Sequence, residues 1–266
     1  MITAMSYLSE FWHHFVENLI EEIKIGDIGE EISHAIAPNI LFSFDFLGKE
    51  WIISDAVVAT WGVMVFLFLL TWFMTRRLEI VPNSKRQQLT ETIVNILMKL
   101  CQSSGMTYDQ AEKVVPYVGS IGVFIALTNL VTLLKIPAPS KNPAFPITLA
   151  LINIVYVVYM SIRLAGIKGF WASLIYPKAA LLPFKILDYL IKPISLSLRL
   201  FGNVFGAYIL MEFIYIIIPI IVPGVVGLWF DLADGILQGV IFTYLSVTYI
   251  GEVLEGAHHA REAAHS

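Results

Sequence analysis

From Asp188 to Asn203, polar and charged residues return at steps of three and four: Asp188, Lys192, Ser195, Arg199 and Asn203. Such steps set side chains along one face of a helix. Asp231, Asp234 and Gln238 repeat the pattern, and Tyr249 and Glu252 follow. Both runs lie in apolar surroundings. The stretch SLSLRLFGN, residues 195–203, sits between ALLPFKILDYLIKPI and VFGAYILMEFIYIIIP. Carboxylates, amides and hydroxyls in such a setting can bind a cation and pass it on. Acids within membrane segments mark ion paths, whereas an arginine at the bilayer centre costs from roughly 2.5 to over 10 kcal/mol, depending on the scale. A path interrupted at mid-depth by a fixed cation is no simple pore. Ions can enter it from either side but cannot pass straight through.

The plainest role for a buried arginine is a salt bridge within its own bundle, and depth tests that role. Pro219 and Pro223 in IIIPIIVPG break the helix and make a turn. With the turn centred near Ile221, antiparallel pairing sets Arg199 level with about Thr243. The nearest acids on the partner helix are Asp234 and Glu252, each nine residues away in depth, or roughly 13 Å along the axis. Glu212, on the same helix as Arg199, is 13 residues off. No carboxylate of the chain is expected beside Arg199. An unpaired buried charge is very unfavourable, so the expected partner is another chain or water in a polar cleft. The remaining groups fall into two sets. Glu212, Asp231 and Asp234 lie on one side, with Asn203 and Gln238 reaching toward the middle. Asp188, Lys192, Ser195, Tyr249 and Glu252 lie on the other.

The elements that must position these groups are membrane helices. Of 266 residues, 57% are hydrophobic and 14% charged, against about 25% charged in a soluble domain. An all-α polytopic membrane protein is expected. Ala56–Thr75, Val114–Leu134 and Asn142–Ile162 are charge-free, each about the 20 residues that cross a bilayer. Residues 183–218 and 225–256 form a longer pair, roughly 54 and 48 Å at 1.5 Å per residue, expected as a tilted hairpin. Residues 86–104 carry Leu89, Ile93, Ile96, Leu97 and Leu100 at helical spacing. That segment is too polar to cross and is expected at the inner surface. Residues 1–55 are expected as an N-terminal region, and 56–266 as one membrane domain.

Lys and Arg collect after the first span (Arg76, Arg77, Lys85, Arg86, Lys99, Lys113) and again between Arg163 and Lys192. The intervening loop KIPAPSKNPAF has only Lys135 and Lys141. By the positive-inside rule the N-terminus is outside, five helices cross, and the C-terminal HHAREAAHS is inside. The one cysteine, Cys101, excludes an intrachain disulfide. No signal peptide is evident. A secondary transporter is the alternative class, but inverted repeats and paired broken helices are lacking. A hydrolase would need a nucleophile or metal set; no span holds a His, and GxSxG and HExxH are absent. His13, His14, His258, His259 and His265 are expected as surface residues, with no metal and no cofactor. Lys178, Lys185 and Lys192 are expected as anchors at the inner surface, and Gly202 and Gly206 suit close helix approach.

SLSLRLFGN resembles the signature of the subunit a family of F-type ATP synthases. LQGVIFTYLSVTYI is similar to that family's last helix, and PAPSKNPAF to its outer loop. The resemblance covers nearly the whole chain. It implies the stator of a rotary ion motor in a bacterial plasma membrane, a non-catalytic subunit with no active site of its own. The implied partners are a ring of small c subunits carrying membrane carboxylates, peripheral-stalk b subunits and lipid, with no nucleic acid. Arg199 then matches the family's essential arginine, Asn203 the asparagine of LFGN, and Gln238 the glutamine of the last helix. Two positions depart from the pattern. Tyr208 stands where many bacterial members have Glu, and Asp231 where some have His. The carboxylate of the outer half-channel is then expected among Glu212, Asp231 and Asp234, and the inner half-channel at Ser195, Tyr249 and Glu252. Whether the ion is H+ or Na+ rests with the ring; H+ is the default.

Overall fold

Alternating apolar residues in ILFSFDF make a strand that the sequence reading did not foresee. Ile40, Phe42, Phe44 and Phe46 recur at period two, the strand repeat. In the computed structural model, which describes residues 40–46, 49–76, 78–79, 84–134, 136, 138–176, 179–217 and 222–265, this segment is β1 (Ile40–Phe46). It pairs antiparallel with β2 (Lys49–Ser54), from Phe46↔Lys49 to Ile40↔Ser54. The hairpin belongs to the same compact unit as the helices that follow, so the expected boundary at 55/56 falls inside that unit. His13 and His14 lie outside the described residues.

Helix α1 (Asp55–Thr75) is apolar on all sides and buries only Val63. Helix α2 (Lys85–Ser103) starts at Ser84, whose hydroxyl accepts the Gln87 amide at 3.3 Å. Its apolar stripe divides. Leu89, Ile93 and Ile96 are exposed, while Met98 and Cys101 enter the core. Helix α3 (Tyr108–Leu130) opens on a capping box between Thr107 and Gln110, which satisfies two otherwise orphaned amides. After a 3-10 turn at Pro139–Lys141 comes α4 (Ala144–Ile175). It is kinked at Gly166, whose φ of 77° suits glycine. Arg261 Nη2 donates to the Ala165 carbonyl at 2.8 Å, satisfying an acceptor that the kink strips of its helical partner.

Helices α5 (Leu182–Ile217) and α6 (Val222–His265) close the chain. At 1.5 Å per residue they run about 54 and 66 Å. The tail HHAREAAH is therefore a continuation of α6 rather than a loose end. The expected turn, residues 218–221, lies outside the described residues. Helices α1, α3, α4, α5 and α6 are each long and apolar enough to cross a membrane. The chain is an all-α multi-pass membrane protein with a small β-hairpin before its first crossing.

Helix α6 is the hub, packing on α3, α4 and α5. Lipid is as apolar as leucine, so close packing and interhelical hydrogen bonds hold such bundles together. At Gly239 a Cβ would meet the Gly122 carbonyl oxygen at 2.5 Å and Ala126 Cβ at 2.9 Å. Only glycine lets α3 and α6 approach this closely. One turn on, Thr243 Oγ1 donates to Gly239 O at 2.9 Å and lies 3.2 Å from Val118 O on α3.

Candidate functional site

Two side-chain bonds tie α5 to α6. Asn203 Nδ2 donates to Gln238 Oε1 at 2.9 Å, and Gln238 is 1% exposed. Lys192 Nζ donates to Glu252 Oε2 at 2.7 Å. Asn203 is thus level with Gln238, and four residues further along each helix Arg199 is level with Phe242. That is one residue from the register expected from the proline turn.

Lys192 is more than the surface anchor it was expected to be. Its ammonium also meets Asp188 Oδ2 at 2.9 Å. It sits over the rings of Tyr249 and Tyr189, 4.4 and 5.2 Å from their centroids. The Lys192 side chain is 8% exposed, while its two carboxylate partners are about half exposed. A charge leaves water only if hydrogen-bonded and paired. Here two carboxylates and two aromatic faces supply that. Lys185, expected as another anchor, turns inward too, donating to the carbonyls of Ser173 and Tyr176 at 2.5 and 2.7 Å.

Arg199 lies between the two bridges, seven residues from Lys192 and four from Asn203. It is half-buried, and among the described residues no hydrogen bond or ion pair engages its guanidinium. Its electrostatic neighbour is Tyr249, whose ring also covers Lys192. Ser195 sits half-buried between the two cations on the same helix face. Asp234 is half-buried one turn before Gln238 and has an interaction of its own. Glu212 and Asp231 occupy helical positions on α5 and α6, but their side chains lie outside the described residues.

The structure thus brings Arg199, Asn203, Gln238, Ser195, Tyr249 and Glu252 to one α5–α6 seam. Sequence reasoning missed Lys192 as the centre of a cluster. The available signal was its i,i+4 spacing from Asp188 and its depth match to Glu252. At Gly202 and Gly206 no described residue lies within 4 Å of a built Cβ. They continue an exposed row on α5 made by Leu190, Ile194 and Leu198.

Two cavities meet at Glu252. One of about 90 Å³ is lined by Lys185, Asp188, Lys192 and Glu252. The other, of about 620 Å³, runs from Thr248, Gly251 and Glu252 to Ser104 and Thr107 at the start of α3, and to His258 and His259. His258, His259 and Glu262 place ligand atoms within 4.8 Å of one another, and all three are exposed. They could hold a divalent cation.

A family model described as ATP synthase A chain matches residues 57–251. The chain is 31% identical over 220 residues to "ATP synthase subunit a 1" of Crocosphaera subtropica, covering 79% of this chain and 94% of that one. It is 33% identical over 200 residues to "ATP synthase subunit a 2" of a Bradyrhizobium strain, covering 75% and 88%. It is 29% identical over 214 residues to "ATP synthase subunit a, sodium ion specific" of Propionigenium modestum, covering 74% and 73%. The family span runs from α1 through α5 to residue 251 of α6, well over half of the chain, and on that ground the chain belongs to the ATP synthase A chain family, which supplies subunit a of the ion-translocating membrane sector.

Proposed function

We propose that the chain is the stator of a rotary ion motor, with Arg199 as the fixed charge between two offset half-channels. The observation that carries this is Arg199 itself: half-buried in a membrane helix, engaged by no carboxylate of the described chain, and beside an exposed row of α5. That row, Leu190, Ile194, Leu198, Gly202 and Gly206, ends in two glycines. Small residues let another helix come close. A ring of c subunits, each with a membrane carboxylate, suits this face. Peripheral-stalk b subunits complete the stator, and the setting is a bacterial plasma membrane.

An opposite charge nearby favours the ionised carboxylate and lowers its pKa. Arg199 therefore promotes ion release from each ring carboxylate that reaches it, and repels ions that would leak directly across. The outer half-channel draws on Glu212, Asp231 and Asp234, with Asn203 and Gln238 toward the middle. The inner one draws on Ser195, Tyr249 and Glu252, beside the two cavities. Lys and Arg placement puts the N-terminus outside and the C-terminus in the cytoplasm. The driving energy is about 2.3 kcal/mol per charge per 100 mV, plus the concentration term. One relative is named sodium ion specific; for this chain we take H+ as the ion.

The test is Arg199→Ala in membrane vesicles. ATP synthesis and ATP-driven pumping should both be lost, while passive ion flow through the assembled sector rises. Normal coupled synthesis in that variant would refute the reading.

A further inference from the structure

An arginine that no hydrogen bond or ion pair engages among the described residues still has to be held at one depth, and α5 offers little to hold it by. One face of α5 is exposed along Leu190, Ile194 and Leu198. Its buried contacts to α6, through Leu196, Leu200 and Phe242, are apolar and lack the directionality of a hydrogen bond. Two directional bonds between α5 and α6, Asn203–Gln238 and Lys192–Glu252, fall on opposite sides of Arg199. Asn203–Gln238 lies four residues away, about 6 Å along the helix, and Lys192–Glu252 seven residues away, about 10 Å.

We propose that Lys192, through its bond to Glu252, is a positioning residue for Arg199: together with Asn203–Gln238 it clamps α5 to α6 on both sides of the guanidinium while leaving that group unbonded. This rests on the role given to Arg199 above. Lysine suits the clamp because one buried ammonium answers two carboxylates, Asp188 on its own helix and Glu252 on the partner. Without it, the two carboxylates face each other across the seam and repel, opening α5 from α6 where the clamp had closed it. Arginine can replace lysine here, since its planar fork can serve two carboxylates at once.

The test compares Lys192→Met, Lys192→Arg and Glu252→Ala in the complete complex. The amount of assembled complex is measured by co-purification of the small ring subunits. Synthesis and passive ion flux are expressed per assembled complex. Misplacing a catalytic group by about 1 Å can lower a rate about 100-fold, so we expect Lys192→Met to lower synthesis about 10- to 100-fold and to raise leak. Glu252→Ala should move both readings the same way by less, because it breaks the bond between helices without leaving two carboxylates to repel across the seam. Lys192→Arg should stay within about twofold of the parent. A purely structural role would reduce the amount of complex and leave both per-complex readings unchanged. If Lys192→Met assembles too poorly to measure, the leak of Glu252→Ala decides, since loss of a half-channel carboxylate lowers synthesis without raising leak, whereas loss of the clamp raises it. Parent-like synthesis and leak in the assembled Met or Ala variant would overturn the clamp, as would Arg failing as badly as Met. If Arg199→Ala is silent, the function and the clamp both fall. If Arg199→Ala abolishes coupling while Lys192→Met is silent, only the clamp falls.

Discussion

Two cations stand on one face of α5, seven residues apart, and the fold treats them in opposite ways. Lys192 is buried, bonded to Asp188 and Glu252 at 2.9 and 2.7 Å, and covered by two tyrosine rings. Arg199 is half-buried and bonded to nothing among the described residues. The charge of Lys192 is spent inside the chain, and its removal disturbs the chain. The charge of Arg199 is available to something outside the chain, and its removal disturbs what the chain does. A buried ion pair broken on one side is destabilising because a charge is left uncompensated. A charge that no described residue binds leaves no described partner behind.

The largest expected effect breaks the comparison at Arg199. Arg199→Lys makes the two cations chemically alike, yet it should not restore ATP synthesis. Lysine keeps a charge but loses the planar, always-protonated fork, and a buried lysine can shed its proton. Leak through the Lys variant should fall below that of Arg199→Ala. Ion flux and synthesis measured in the same vesicles check this, and parent-like synthesis in Arg199→Lys would mean that charge alone suffices.

Thermal unfolding of the purified complex sharpens the contrast. Lys192→Ala should lower stability by roughly 1–3 kcal/mol, below the 3–5 kcal/mol of a fully buried pair, because its carboxylate partners are about half exposed. Arg199→Ala should leave the midpoint unchanged or raise it. Equal losses in the two variants would show that Arg199 also has a partner within the fold.

Two glycines extend the comparison, and the smallest effect on stability is at Gly202. Gly239→Ala forces a methyl group against Gly122 O and Ala126 and should cost about 1–3 kcal/mol through overpacking. Gly202→Ala meets nothing of this chain, so any loss should appear as lowered synthesis per assembled complex rather than a shifted midpoint. A destabilised Gly202→Ala subunit in isolation would place another part of the chain against that face.

The register of the α5–α6 pair was legible to within about two residues because an antiparallel pair has a single free parameter, and the place of the two prolines in the sequence suggested it. The five crossings were legible because about 20 apolar residues have few alternatives to a membrane helix. The role of Lys192 was not legible. Its bond to Glu252 joins residues 60 apart, and a lysine near the end of a membrane helix reads as an interfacial anchor. The hairpin at 40–54 was not legible, since Leu41 and the adjacent Ile52 and Ile53 blur its period of two. The kink at Gly166 was hidden in a span that looked complete at Ile162.

By itself, then, the sequence determined how many times the chain crosses, which residue types reach mid-membrane, and that Arg199 finds no acid at its own depth. All of these follow from local composition and from distance along the chain. Only the tertiary structure decided which of two similar cations is bonded among the described residues and which is not, and which glycines touch a helix. Those outcomes depend on where α6 lies against α3 and α5. That placement is set by the close approach of Gly122 and Gly239 and by two side-chain bonds between residues far apart in sequence.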